Sequence, residues 1–143
     1  MTKNINRKLQ NLLDGESSRK ISATATSSTP VFPVVYQIET TGGATGNVDT
    51  VFSEKVMIID VYIVSNGTGT TSDTIQVTNG TGSNHITNAM SNAGAAGTVV
   101  AASTLSAAHR GVNAGSTVRV TETDGGGNDC PPTSVYIIAL KVA

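Results

Sequence analysis

KVMIIDVYIVS, Lys55–Ser65, is the stretch that decides the fold class. It is the strongest apolar run in the chain. Its β-branched and aromatic residues mark a central strand covered on at least one face. Asp60 interrupts the run, so one side must meet a partner or solvent at that point. A second run of the same kind, SVYIIALKV at Ser134–Val142, closes the chain. The likeness of VYIVS at Val61–Ser65 to VYIIA at Val135–Ala139 reads as two central strands of one core; no internal repeat of fixed period occurs.

Between and before these runs the pattern is one of short strands and turns. Val31–Thr40 is a strand in which Val34, Tyr36 and Ile38 oppose Val35, Gln37 and Glu39, and Pro33 near its start places it at a sheet edge or a strand beginning. Asn47–Ser53 follows the turn TGGATG, with Val48 and Phe52 pointing inward. Asp73–Thr78 alternates, and Asn79–Gly80 is a hairpin signal followed by the further turn residues Thr81–Asn84. His85–Ser91 reads as a short strand or a helical turn, Gly97–Leu105 as a strand, and Ser106–Arg110 as one turn of helix. Ser116–Thr123 directs Val118 and Val120 inward and Thr117, Arg119 and Thr121 outward. The total is about eight strands, with turn signals at the spacing of a sandwich or barrel. The expected fold is therefore all-β, a jelly-roll or Greek-key β-sandwich with an extended, partly helical N-terminal arm.

The arm is set apart by charge. Residues 1–30 hold five basic residues, Lys3, Arg7, Lys8, Arg19 and Lys20, against Asp14 and Glu16, whereas residues 31–143 hold four basic and eight acidic residues. The leader thus carries +3 and the body −4. Ile5, Leu9, Leu12 and Leu13 recur at helical spacing and share one face, with Thr2 as a cap and Gly15 as a stop. So short a helix is marginal alone and needs a partner for its stripe. Residues 17–30 are a linker by composition, ending at Pro30. The expected division is an arm and linker over 1–30 and a β-sandwich over 31–143. The arm is the expected partner-binding element, through Ile5, Arg7, Lys8, Leu9, Leu12, Leu13, Arg19 and Lys20.

Composition bounds the function. The 143 residues support one domain. Hydrophobic residues make up 38 %, and the 15 glycines lift the comparable share to the ordinary globular range. The charged share of 13 % is about half the usual one, and Thr, Ser and Asn fill the gap. A single cysteine, Cys130, excludes an intrachain disulfide. The first twenty residues lack a signal-peptide core, and no apolar run approaches a bilayer span. Synthesis in a cytoplasm, with no membrane partner, is the expectation. A net charge of −1 argues against general nucleic-acid binding, and the aromatics Phe32, Tyr36, Phe52, Tyr62 and Tyr136 are expected mostly in the core.

Chemistry is sparse. His85 and His109 each stand alone, with no metal-ligand spacing around them. Cys130 lacks an adjacent base, and a small buried hydrophobe is its default role. Asp124, Asn128 and Asp129 could offer oxygens to Ca²⁺, but the spacing is not that of an EF-hand loop, and a solvated turn is the simpler account. The Asn66-Gly67-Thr68 and Asn79-Gly80-Thr81 triplets are turn chemistry. No catalytic residue, metal, cofactor or small-molecule substrate is expected.

Three stretches carry a resemblance: PVVYQIETTGGATGNVD at Pro33–Asp49, KVMIIDVYIVSNGTG at Lys55–Gly69, and AGSTVRVTETDGG with VYIIALKVA toward the end. The body resembles the capsid decoration (cement) proteins of tailed bacteriophages. The resemblance implies a homotrimeric, jelly-roll-like protein on the virion surface that holds neighbouring major capsid protein subunits together, its leader gripping the shell. The alternatives are a receptor- or carbohydrate-binding fibre tip, disfavoured by the absence of Trp, and a tail or neck component. A cupin-like enzyme would require clustered His and carboxylate ligands.

Overall fold

The computed structural model describes residues 32–70, 72–126 and 129–142. The arm residues singled out above, Ile5 to Lys20, lie outside them.

The described residues form nine strands and no helix. These are β1 (Pro33–Glu39), β2 (Gly46–Val51), β3 (Val56–Ser65), β4 (Thr74–Asn79), β5 (Met90–Ser91), β6 (Val99–Ala101), β7 (Gly111–Val112), β8 (Thr117–Thr123) and β9 (Thr133–Lys141). They make two antiparallel sheets. The first runs β1-β9-β3-β6, with β7 also pairing with β3; the second runs β2-β8-β4-β5.

The pairings are nested. β1 pairs with β9, β2 with β8, β3 with β6 and β7, and β4 with β5. The chain therefore behaves as one long antiparallel ribbon whose two halves run side by side. The ribbon is rolled so that β9 also lies against β3, and β8 against β4. The rolling places the two apolar runs of the sequence next to each other at the centre of the first sheet, with Ile63 opposite Val135 and Val61 opposite Ile137.

Period-two alternation decides what is buried. In the first sheet Ile38, Ile58, Val61, Ile63, Val135, Ile137 and Ala139 face inward, and in the second Ile75, Val77, Val118 and Val120 meet them. Phe52, just after β2, stacks on Tyr36 of β1 with ring centroids 4.0 Å apart. This pair joins the two sheets along the side where β1 and β2 are both edge strands.

Asp60 is accommodated by a β-bulge. Ile58 pairs with Ala139 and Asp60 with Ile138, so Ile59 is an extra residue on β3. Asp60 is exposed on the outer side, and its Oδ1 accepts the Val61 N–H at 2.8 Å. Without the extra residue, the alternation of the run's second half would be inverted relative to its first.

One local expectation differs from the structure. Ser106–Arg110 is a turn, with the Ser106 carbonyl accepting the N–H groups of His109 and Arg110, and it does not continue into a helix. Gly111–Val112 forms a two-residue strand too short to leave a period. The turn residues Thr81–Asn84 widen the loop after Asn79-Gly80: Asn79 N–H reaches the Asn84 carbonyl at 2.9 Å, and an isolated bridge joins Thr78 to His85.

The core predicts its own sensitivity. Ile137 is fully buried at the centre of the β3–β9 ladder, so Ile137→Ala should cost about 2–5 kcal/mol in urea unfolding. Val99→Ala, at a position 61 % exposed, should cost under about 0.5 kcal/mol.

Candidate interaction surface

The two sheets present opposite chemistry to the outside. On the second sheet, outward positions are polar apart from Val51 at the end of β2. Asp49, Arg119 and Thr78 form one row across β2, β8 and β4, and Asn47, Thr121 and Gln76 the next. Arg119 grips Asp49 through two parallel bonds, Nε to Oδ1 at 2.7 Å and Nη2 to Oδ2 at 2.8 Å, and the guanidinium holds the Asp49 carboxyl below its usual range. Asn47 Oδ1 accepts the Thr121 hydroxyl at 2.8 Å. Such a face is satisfied by water and by itself.

The outer face of the first sheet is apolar. Its register gives four rows: Pro33, Leu140 and Met57; Val35, Ile138 and Asp60; Gln37, Tyr136, Tyr62 and Ala101; and Glu39, Ser134, Val64 and Val99. Tyr62 and Tyr136 stack on this face with centroids 4.9 Å apart. They are thus outside the core, contrary to the expectation that most aromatics pack within it; of the five aromatics, Tyr36 and Phe52 do so, while Phe32 is exposed. Val35 is 59 % and Val99 61 % exposed. The alternation in Val56–Ser65 was legible, but apolar residues on both of its faces concealed which one is open. Contiguous apolar area of this kind makes the face a candidate interaction surface.

Carboxylates predominate on this face, with Lys55 at its rim, opposite Val142 and just before β3. Glu39 accepts Gln37 Nε2 at 2.5 Å and the Ser134 hydroxyl at 2.8 Å, and Asp60 is exposed. The ion pairs found among the described residues, Arg119–Asp49 and Lys141–Glu54, involve neither.

The titratable candidates do not converge. His85 is exposed beside Ser83, His109 lies in the Ser106–Arg110 turn, and no group of three His, Cys, Asp or Glu able to hold a metal occurs among the described residues. Asp124 Oδ1 accepts the Gly126 N–H at 2.8 Å, closing a turn, and Asp129 is exposed; Asn128 lies outside the described residues.

Cys130 belongs to a buried polar network at one end of the sheets. Asn92 Nδ2 donates to Thr133 Oγ1 at 2.7 Å and lies 3.4 Å from Cys130 Sγ. Burial pushes the thiol up, and the Glu122, Asp73 and Asp124 carboxylates add to this against the Asn92 amide. This environment keeps the thiol protonated and unreactive. Cys130 also exchanges two backbone bonds with Gly43, at 2.8 and 2.9 Å. Neighbouring Gly42 has φ +70°, and a Cβ there would stand 2.6 Å from the Cys130 carbonyl, so glycine is required.

Two acids in this network have opposite characters. Burial pushes Asp73 up, but the Thr70 N–H at 2.6 Å, the Gly125 N–H at 3.1 Å and the Thr70 hydroxyl at 2.9 Å outweigh it and hold the carboxyl below its ordinary range. Glu122 points inward from β8 and is 3 % exposed. Burial raises it, the Thr40 hydroxyl and Gly42 N–H offset only part, and its Oε1 finds no donor among the described residues. Outward Thr121 and inward Glu122 follow the strand period, but the turn-like sequence around Asp124 hid the burial of Glu122.

No protein-family model and no curated protein matches the chain. Two solved structures are similar in fold. One is a chain in the crystal structure of the Aeromonas sobria serine protease with its chaperone ORF2, with TM-score 0.52 and 9 % identity over 86 % of this chain and 29 % of that one. The present chain therefore spans under a third of that chain's length. The other belongs to the capsid asymmetric unit of cyanophage Pam1, with TM-score 0.50 and 17 % identity over 85 % of this chain and 96 % of that one. At these identities the likeness is one of fold.

The acid pair predicts a pH signature. Glu122 has a raised pKa, so its contribution favours folding at low pH and is lost as pH rises through the folded value. Glu122→Gln should raise the melting temperature at pH 7, with the gain vanishing toward about pH 4, where the wild-type carboxyl is protonated. Asp73 has a lowered pKa, so its contribution is present above the unfolded value and lost as pH falls through the folded one. Asp73→Asn should cost about 1–3 kcal/mol at pH 7 and progressively less below about pH 4. Melting curves of both variants from pH 3 to 8 check the opposed slopes.

Proposed function

We propose that this protein is a structural component of a bacteriophage capsid, a decoration protein that binds the outside of the shell and holds major capsid protein subunits together. The observation that carries the reading is the nested two-sheet ribbon, whose likeness extends over almost the whole of a chain from a phage capsid asymmetric unit. The order β1-β9-β3-β6 against β2-β8-β4-β5 supports reading the two sheets as a jelly roll, an architecture used by viral capsid domains. The apolar outer face of the first sheet supports a binding role, and the chemistry of His85, His109 and Cys130 gives no support to a catalytic one.

In this reading the body is a homotrimer on the virion, made in the host cytoplasm. The leader supplies an anchor through Ile5, Leu9, Leu12 and Leu13, flanked by Arg7, Lys8, Arg19 and Lys20. Linking a standard interface of about 1,600 Å² to a second contact raises retention through effective concentration.

Shells assembled from the major capsid protein of the parent phage should bind the purified protein in co-sedimentation and resist heat or chelation better with it than without. Removal of residues 1–30 should weaken that binding while leaving the β-rich circular dichroism spectrum intact. Light scattering at micromolar concentration should return three times the chain mass. Failure of the full chain to bind shells would refute the reading, and a monomer mass would refute the trimer.

A further inference from the structure

We infer that the outer face of the first sheet is the surface that seats the body on its protein partner, and that the partner brings an apolar patch with at least one Arg or Lys. The inference rests on the decoration reading and names the contact surface within it.

The face is built for exclusion of water. Val35, Met57, Tyr62, Val99, Tyr136 and Ile138 give a continuous apolar surface across four strands, and the stacked Tyr62–Tyr136 pair stands at its middle. Aromatic anchors at the centre of a patch are where binding energy concentrates. The other sheet offers nothing equivalent, since its outward rows, the single Val51 apart, are polar side chains that include a closed Arg119–Asp49 pair.

Charge selects the occupant. Among the described residues the carboxylates on the face are Glu39 and Asp60, and no described cation pairs with either. A second copy laid face to face would bring four carboxylates into one drying contact with only the two rim Lys55 side chains to offset them, which costs rather than stabilises. A partner with a basic side chain opposite Asp60 or Glu39 turns both into complementary contacts. Glu39 is already oriented by Gln37 and Ser134, so little side-chain freedom is lost on pairing.

The test uses the full chain and shells of the parent phage's major capsid protein. Val35→Arg and Val99→Arg add a cation at two exposed positions of the face, and Val51→Arg adds one at a 64 % exposed position on the outer side of the polar sheet. Each face variant should weaken shell binding at least about tenfold, with V51R unchanged and all three retaining the wild-type mass by light scattering. Asp60→Asn should weaken binding severalfold at low salt and flatten its salt dependence. If the wild type binds and V35R and V99R bind equally well, the inference is overturned while the decoration reading stands. If the wild type does not bind, that reading falls and the inference with it. A change in the mass of the free protein in V35R or V99R would assign the face to a second copy. A drop in their melting temperature well beyond that of V51R would mean the face is covered within the chain. Either result overturns the proposal.

Discussion

The pairing of β3 with β9 is the constraint on which everything else depends. It joins Val56–Ser65 to Thr133–Lys141 across most of the described chain, and so closes a long loop. Once it exists, β1 has a neighbour in β9, and β6 and β7 have one in β3. The inward residues of the pair, Ile58, Val61, Ile63, Val135, Ile137 and Ala139, become the floor on which the second sheet packs. A fold dominated by such non-local pairings forms slowly, because loop closure precedes the reward of burial.

The same ladder creates the asymmetry that matters for function. Two runs apolar on both faces lie side by side, and one pair of faces goes to the core. The other pair, including Tyr62, Tyr136, Ile138 and Leu140, is left outside. The second sheet has no such surplus, because β2, β4 and β8 alternate Val and Ile with Thr, Asn, Gln, Asp and Arg. The bulge at Ile59 keeps both halves of β3 in phase with β9 and delivers Asp60 to the apolar face. A single inserted residue thus serves both the core and the charge pattern of the surface.

The polar end of the sandwich has a different task. Thr40, Asp73, Asn92, Glu122, Cys130 and Thr133 meet where several loops converge, and they satisfy backbone groups that no strand partner reaches. Gly42 lets the backbone approach Cys130 there. Glu122 is the exception within the network, an acid whose burial outweighs its hydrogen bonds. This makes it the group whose ionisation opposes the fold at neutral pH.

The sequence by itself determined the longer strands and, where only one face is apolar, their inward sides, because a period of two is written residue by residue. Val118 and Val120 inward, Ile38 buried with Val35 and Gln37 exposed, and Pro33 on an edge strand all follow from that period together with the backbone demands of proline. Tertiary structure alone decided which strands became neighbours, since register and order are set by contacts between residues far apart in the chain. It alone made one apolar face of Val56–Ser65 core and the other surface, a choice that alternation cannot make when both faces are apolar. It also turned Glu122 and Cys130 from residues beside a glycine-rich turn into members of one buried network, because convergence of loops at a sheet end has no local signature.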